Sequence, residues 1–275
     1  MSTVKNIVSF FPRMVTTKKG ESWEPEEKAS GVDVIRRLTA IGIIIGSVLL
    51  IIYVKATEHY TFHWETLVSF KQAYWMGFLM TMKLSTVTLF LSIIVGGVVG
   101  LASVSRRICL RDLAMAYVEG IRNVPLLVIV LLTYFGIGTL FHLPRFSAAV
   151  IALTAFESTF FAEIIRGGIE SIPRGQMWAG RSLGLSYGMT MRGVILPQAV
   201  RRVVPALAGQ FVNLVKDSSL ASVISLVELT LIGRQIMTAT FAAFESYIAI
   251  AVFYFSVCFT LSLLTKILER KIPVD

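Results

Sequence analysis

Apolar runs too long for a soluble helix constrain this chain more than any other feature. Leu38 to Val54 is uncharged and rich in Ile, Leu and Val, and further runs cover Trp75–Ser103, Leu113–Phe141, Phe146–Ile165, a stretch from Val203, and Ser246–Thr265. About 20 mostly apolar residues cross roughly 30 Å of hydrocarbon as an α-helix. The 275 residues are 55% hydrophobic and 16% charged, which leaves too little polar surface to cover one water-soluble core. The length is spent on spans.

The charges fix an expected topology. Arg36 and Arg37 precede the first run, Arg106, Arg107 and Arg111 follow the second, and six arginines (Arg166, Arg174, Arg181, Arg192, Arg201 and Arg202) lie in a loop spanning 166–202. Lys266, Arg270 and Lys271 end the chain. With both termini inside, nineteen of the 26 basic residues face the cytoplasm and four (Lys55, Lys71, Arg145 and Arg234) face out, as the positive-inside rule requires. The expected fold is therefore all-α and integral to the membrane, with six transmembrane helices. Its parts are a cytoplasmic tail at 1–37, an anchor at 38–54 and a core at 74–270. The aromatic, mixed-polarity stretch Lys55 to Tyr74 suits an outer interface, and Glu228 to Glu245 reads as a short outer segment. Gly96, Gly97 and Gly100 give the small-residue spacing that lets helices approach closely in lipid.

The net charge of +9 does not indicate nucleic acid, because the basic residues separate apolar runs instead of forming one patch interleaved with aromatics. Cys109 and Cys258 have no second Cys or His nearby, so neither a disulfide nor a metal site is expected. No cofactor is indicated. The polar tract Lys18 to Ser30 precedes any apolar run, so the first apolar segment is expected to remain as an anchor instead of being cleaved as a signal. No sustained internal repeat favours a secondary carrier built from inverted halves. His59, His63 and His142 form no catalytic set, and a membrane enzyme is not indicated.

Ser171 and Pro173 are helix-start signals and Gly184 is a stop, so about Arg174 to Leu183 is expected to form a short helix lying along the membrane surface. The plain reading is an interfacial amphipathic helix. The stretch Gly175-Gln-Met-Trp-Ala-Gly-Arg-Ser-Leu-Gly-Leu-Ser186 with Val194-Ile-Leu-Pro197 also resembles the cytoplasmic loop of permease subunits of bacterial ABC importers. That loop reads Glu-Ala-Ala, three residues, Gly, nine residues, Ile-x-Leu-Pro. Ala179, Gly184, Leu196 and Pro197 fall on this spacing; Trp178 stands at the Glu and Gly180 at the second Ala. Gly180 lowers helix propensity by about 1 kcal/mol relative to Ala.

Tyr117-Val-Glu-Gly-Ile-Arg-Asn-Val-Pro-Leu-Leu127, Ala162–Gln176, Leu196–Ala199 and Leu214–Ser222 are similar to the polar amino acid uptake permeases. The resemblance implies a five-helix type I importer permease core preceded by one extra helix, in the bacterial inner membrane. It implies a loop helix that couples the permease to its motor, with Gln176, Trp178, Ala179, Arg181, Gly184, Leu196 and Pro197 in that coupling element. The implied partners are two ATPase subunits, a second permease subunit, identical or related, and an extracytoplasmic solute-binding protein that delivers an amino acid. A phosphate-binding Gly-x-x-x-x-Gly-Lys-Ser/Thr loop is absent from the sequence, so ATP hydrolysis is expected on another subunit.

Ionisable residues at membrane depth cost at least about 2.5 kcal/mol on insertion scales and mark candidate substrate contacts. These are Glu157, Lys83, Lys216 and Asp217, which together offer both signs to a zwitterion. Plainer alternatives stand beside each: Lys83 snorkels, and Lys216 with Asp217 forms a structural pair at a helix break. Glu157 is the strongest single candidate. Glu163 and Arg166 are expected to form a local ion pair, and Arg122 with Asn123 and Pro125 to shape the start of the third span. A secondary carrier coupled to ions or protons is the competing reading.

Overall fold

A computed structural model of the chain describes residues 62–271 and, in the first apolar segment, residues 39, 42–43 and 45–50. The expected tail at 1–37 and the remaining positions of the anchor at 38–54 lie outside the described residues. The chain divides into two units, Met1–Thr61 and Phe62–Asp275. In the first, the described residues are helical and Ile43, Ile45, Val48 and Leu49 are exposed.

The second unit is helical throughout, with no strand among the described residues. A one-turn helix α1 (Glu65–Ser69) leads into α2 (Lys71–Ser103), 33 residues long and hence about 50 Å at 1.5 Å per residue. It is followed by α3 (Ile108–Arg122) and α4 (Leu126–Leu131), which continues as a wider π-helical stretch, Leu132–Gly138. Next come α5 (Arg145–Glu170), α6 (Arg174–Ser182), the short α7 (Tyr187–Thr190) and α8 (Leu196–Asp217). A 3-10 segment, Ser218–Ile224, joins α8 to α9 (Leu229–Thr240), and α10 (Ala243–Lys271) completes the unit.

Three helices, Lys71–Ser103, Arg145–Glu170 and Ala243–Leu268, are each long and apolar enough to cross a membrane, and two bent pairs raise the number to as many as five. Within the expected third span, 113–141, the helix is broken: α3 and α4 meet at 98°. Pro125 caps α4; it has no N–H to donate back into α3 and disfavours helical geometry at the residue before it. The expected outer segment at 228–245 is not an open loop. Most of it forms α9, bent by 51° from the preceding helix and packed against α2 and α10.

The tightest packing joins α2 to α5. One face of α2 is a file of buried small residues, Gly77, Thr81, Ser85, Thr88, Ser92, Gly96 and Gly100, recurring every three or four positions. A Cβ at Gly96 would stand 2.5 Å from Cβ of Phe161 and 2.8 Å from the Ser158 carbonyl, and one at Gly100 would stand 2.9 Å from the Ala162 carbonyl. Only hydrogen fits there, so the backbones approach closely, which is how helices gain packing energy where lipid offers no hydrophobic drive. Beside this contact Leu84, Val130, Ala149, Leu153, Ala221 and Ile224 form the largest buried cluster. The opposite face of α2 leaves Phe90, Ile94 and Val98 exposed, as expected where the surrounding solvent is lipid.

Candidate coupling loop and intramembrane polar site

The expected loop helix is present as α6, Arg174–Ser182, with Pro173 at its N-cap. It ends in a double hydrogen bond: the Leu185 N–H donates to the Gly180 carbonyl at 3.1 Å and the Gly184 N–H to the Arg181 carbonyl at 3.1 Å. This closure needs a left-handed residue, and Gly184 has φ +82°. Ser186 then caps α7 by accepting from the Met189 N–H at 3.3 Å.

The face of α6 turned into the protein is narrow. Gly180 is buried, and a Cβ there would lie 2.5 Å from Cγ2 of Thr190. Glycine is therefore set by close packing against Thr190, and its low helix propensity is the accompanying cost. Met177 joins Ile169, Ile172, Ile195, Ala199, Leu196 and Val104 in a small apolar cluster. Gln176, Ala179 and Arg181 are exposed, Trp178 is 68% exposed and Leu183 82%. Leu196 and Pro197 open α8, with proline in the first turn where its missing N–H has no intrahelical partner to lose. Pro197 is exposed and Leu196 half-buried.

Within the helices the structure gathers Glu157 and Asp217. Glu157, on α5, is completely buried; its Oε2 accepts from Nε2 of Gln210 on α8 at 2.9 Å. The Gln210 Oε1 in turn accepts from Nδ2 of Asn213 at 3.1 Å. Among the described residues no donor reaches Oε1 of Glu157, and the Asp217 carboxyl lies near enough to act on Glu157 through its charge. The group is rich in acceptors and short of donors. Lys216 is exposed and acts on Asp217 through charge alone.

Lys83 does not join this group. It is exposed, with Nζ 5.2 Å from the centre of the Phe146 ring, and Phe146 lies about 16 Å from Glu157 along α5 at 1.5 Å per residue.

The expected Glu163–Arg166 pair is not formed. Arg122 takes Glu163 and also lies 4.8 Å from the centre of the Phe160 ring, because the break after α3 turns its last residue against α5. Arg166 reaches forward one turn to Glu170 at 2.8 Å.

Sequence reasoning missed Gln210 and Asn213, whose only signal was two amides in an apolar run. It also missed Glu228, which is completely buried. Glu228 caps α9, accepting from the N–H of Leu231 at 2.8 Å and of Thr230 at 2.9 Å, and accepts from the Tyr254 hydroxyl at 3.1 Å. Thr81 on α2 accepts from the Leu229 N–H at 3.2 Å, so the bend between α8 and α9 is held by polar contacts from two neighbouring helices.

A helical membrane core with broken spans, a buried polar group between them, and one short helix held out between α5 and α8 defines a transport permease. Residues 89–274 match the family described as the binding-protein-dependent transport system inner membrane component, and the chain belongs to it. It is 39% identical over 200 residues to the probable glutamine ABC transporter permease protein GlnM of Bacillus subtilis (strain 168), covering 72% of this chain and 93% of that one. It is 36% identical over 201 residues to the glutamine transport system permease protein GlnP of Escherichia coli (strain K12), covering 72% and 92%. Among solved structures, an amino acid ABC transporter with histidines matches with a TM-score of 0.73 at 36% identity, over 77% of this chain and all of that one. The inward-facing MetNI methionine ABC transporter shares the fold, with a TM-score of 0.67 at 21% identity.

Proposed function

We propose that this chain is the membrane-spanning subunit through which an ATP-driven importer passes a polar amino acid, delivered by an extracytoplasmic binding protein. The observation that carries this reading is the exposed helix α6, stopped by Gly184 and displaying Trp178 and Leu183 outward. An exposed Trp and Leu on a separately capped helix are buried either at the lipid interface or in the groove of a soluble partner, and the loop spacing shared with importer permeases favours the partner. Trp178 anchors the contact, Gln176, Ala179 and Arg181 complete its outer face, and Leu196 and Pro197 fix where α8 leaves the loop. The partner groove belongs to an ATPase subunit. The full assembly holds two ATPase subunits and two permease subunits.

The topology that suits this role has six spans: the anchor at 38–54, α2, the bent α3–α4 pair, α5, the bent α8–α9 pair and α10. Both termini and α6 then lie in the cytoplasm. Substrate contact is assigned to Glu157 and Asp217, whose surplus of acceptors suits a substrate ammonium. Lys83 and Lys216 supply positive charge along the path. The relatives named for glutamine make glutamine the first substrate to try.

The test is binding-protein-stimulated ATP hydrolysis by the reconstituted complex, with the native loop and with Trp178→Ala combined with Gly184→Arg. Collapse of stimulation with the complex still assembled is the expected result. Unchanged stimulation sinks the coupling assignment, and uptake that follows a proton gradient instead of ATP returns the secondary-carrier reading.

A further inference from the structure

The connection between α2 and α3 is four residues long, Val104 to Arg107, and is tied down at both ends. The Ser105 N–H donates to the Ala102 carbonyl at 3.0 Å and Ser105 Oγ accepts from the Arg107 N–H at 3.2 Å. From this tight turn the Arg106 guanidinium carbon sits 3.8 Å from the centre of the Tyr187 ring, a stacked cation–π contact. Tyr187 begins α7, whose last residue, Thr190, packs on Gly180 of α6. Val104 from the same turn shares the apolar cluster that holds Met177 of α6. Two independent contacts, one apolar and one cationic, therefore join the α2–α3 turn to the loop that carries α6.

We infer that Arg106 and Tyr187 are positioning residues that make the α2–α3 turn part of the moving unit, so that force on α6 is delivered to α3 as well as to the flanking α5 and α8. This rests on the reading of α6 as the coupling element. The consequence lies at the far end of α3, where Arg122 holds Glu163 just before the 98° break. A rigid link at Arg106 moves that break together with α5. Without the link, the α2–α3 turn meets the α6 loop through the apolar contact of Val104. The far half of α3 stays joined to α5 through the Tyr117 hydroxyl, which donates to the Ala155 carbonyl at 3.0 Å, and through Arg122–Glu163, so Cys109 at the near end is the place where loss of the link shows. Arg suits the role because its planar guanidinium stacks on a ring face while still meeting water at its edge.

Native Cys109 is exposed in the first turn of α3 and reports on that helix directly. The experiment measures maleimide alkylation rates in the complex of this chain with its ATPase subunits in nanodiscs, with and without ATP and vanadate. Cys109 is probed in a Cys258→Ser background, and α6 is probed at Ser182→Cys in a Cys109→Ser, Cys258→Ser background. With Arg106 and Tyr187 intact, trapping should change both rates by about threefold or more, equivalent to about 0.65 kcal/mol and within the range of coupling energies. Arg106→Ala and Tyr187→Ala should abolish the change at Cys109 and keep it at Ser182→Cys, with the double variant no worse than either. Tyr187→Phe, which keeps the ring face, should restore the response.

A response at Cys109 that survives Arg106→Ala overturns the inference, as does a Cys109 that never responds. Loss at both positions in the Ala variants also overturns it, because the stack then serves docking instead of transmission. Failure of Ser182→Cys to respond with Arg106 and Tyr187 intact rejects the coupling reading of α6 itself, a distinct result.

Discussion

Gln210 on α8 donates from Nε2 to Oε2 of Glu157 on α5 at 2.9 Å, at a point where Glu157 has no exposure at all. This contact bridges α5, which is long and apolar enough to cross a membrane, and α8, part of a bent pair that passes the same test together. Glu157→Gln keeps size and loses charge, so the complete transporter should take up radiolabelled glutamine roughly tenfold more slowly or worse, the scale of one charge-assisted hydrogen bond. Assembly should persist. Unchanged uptake removes Glu157 from the substrate path.

Two adjacent glycines on α2 should behave oppositely. A side chain at Gly96 meets Phe161 and the Ser158 carbonyl, whereas one at Gly97 meets nothing within 4 Å. Gly96→Val should cost about 3 kcal/mol or more by overpacking. Gly97→Ala should leave the folded subunit unharmed and favour the helix by up to about 1 kcal/mol. Thermal melting of the detergent-solubilised chain reads both; equal effects contradict the α2–α5 packing.

Changing Gly180 to the alanine typical of the resembling loops should harm this chain. The gain in helix propensity, about 1 kcal/mol, is opposed by a 2.5 Å approach to Cγ2 of Thr190. Gly180→Ala alone should lower binding-protein-stimulated ATP hydrolysis, and adding Thr190→Ser, which deletes Cγ2, should recover most of it. A single variant as active as the native chain would show that the α6–α7 contact yields easily.

Glu228→Ala should be among the most damaging single changes outside the substrate path. It removes the α9 cap, worth about 1 kcal/mol, and takes one partner from the half-buried Tyr254 hydroxyl, which keeps the Thr230 hydroxyl at 3.2 Å, at a further cost of about 0.5–1.5 kcal/mol. Tyr254→Phe removes one partner and leaves the two backbone bonds to Glu228, so it should cost less. Equal melting temperatures for the two variants would show that the cap does not hold the α8–α9 bend.

A helical chain that crosses a membrane was legible from the apolar runs alone, because lipid leaves helices of about 20 apolar residues few alternatives. So was α6, nearly to the residue, since Pro173 and Gly184 act through local backbone geometry that no distant contact has to supply. How the helices break and which polar groups meet follow from packing between distant segments. The proline at 125 was visible, but the size of its bend depends on how α4 packs beside α5. The partners Glu157–Gln210, Arg122–Glu163, Glu228–Tyr254 and Arg106–Tyr187 are separated by 26 to 81 residues along the chain. Periodicity within one helix says which face a residue occupies, while the choice of the facing helix comes from the close approach that Gly96 and Gly100 permit.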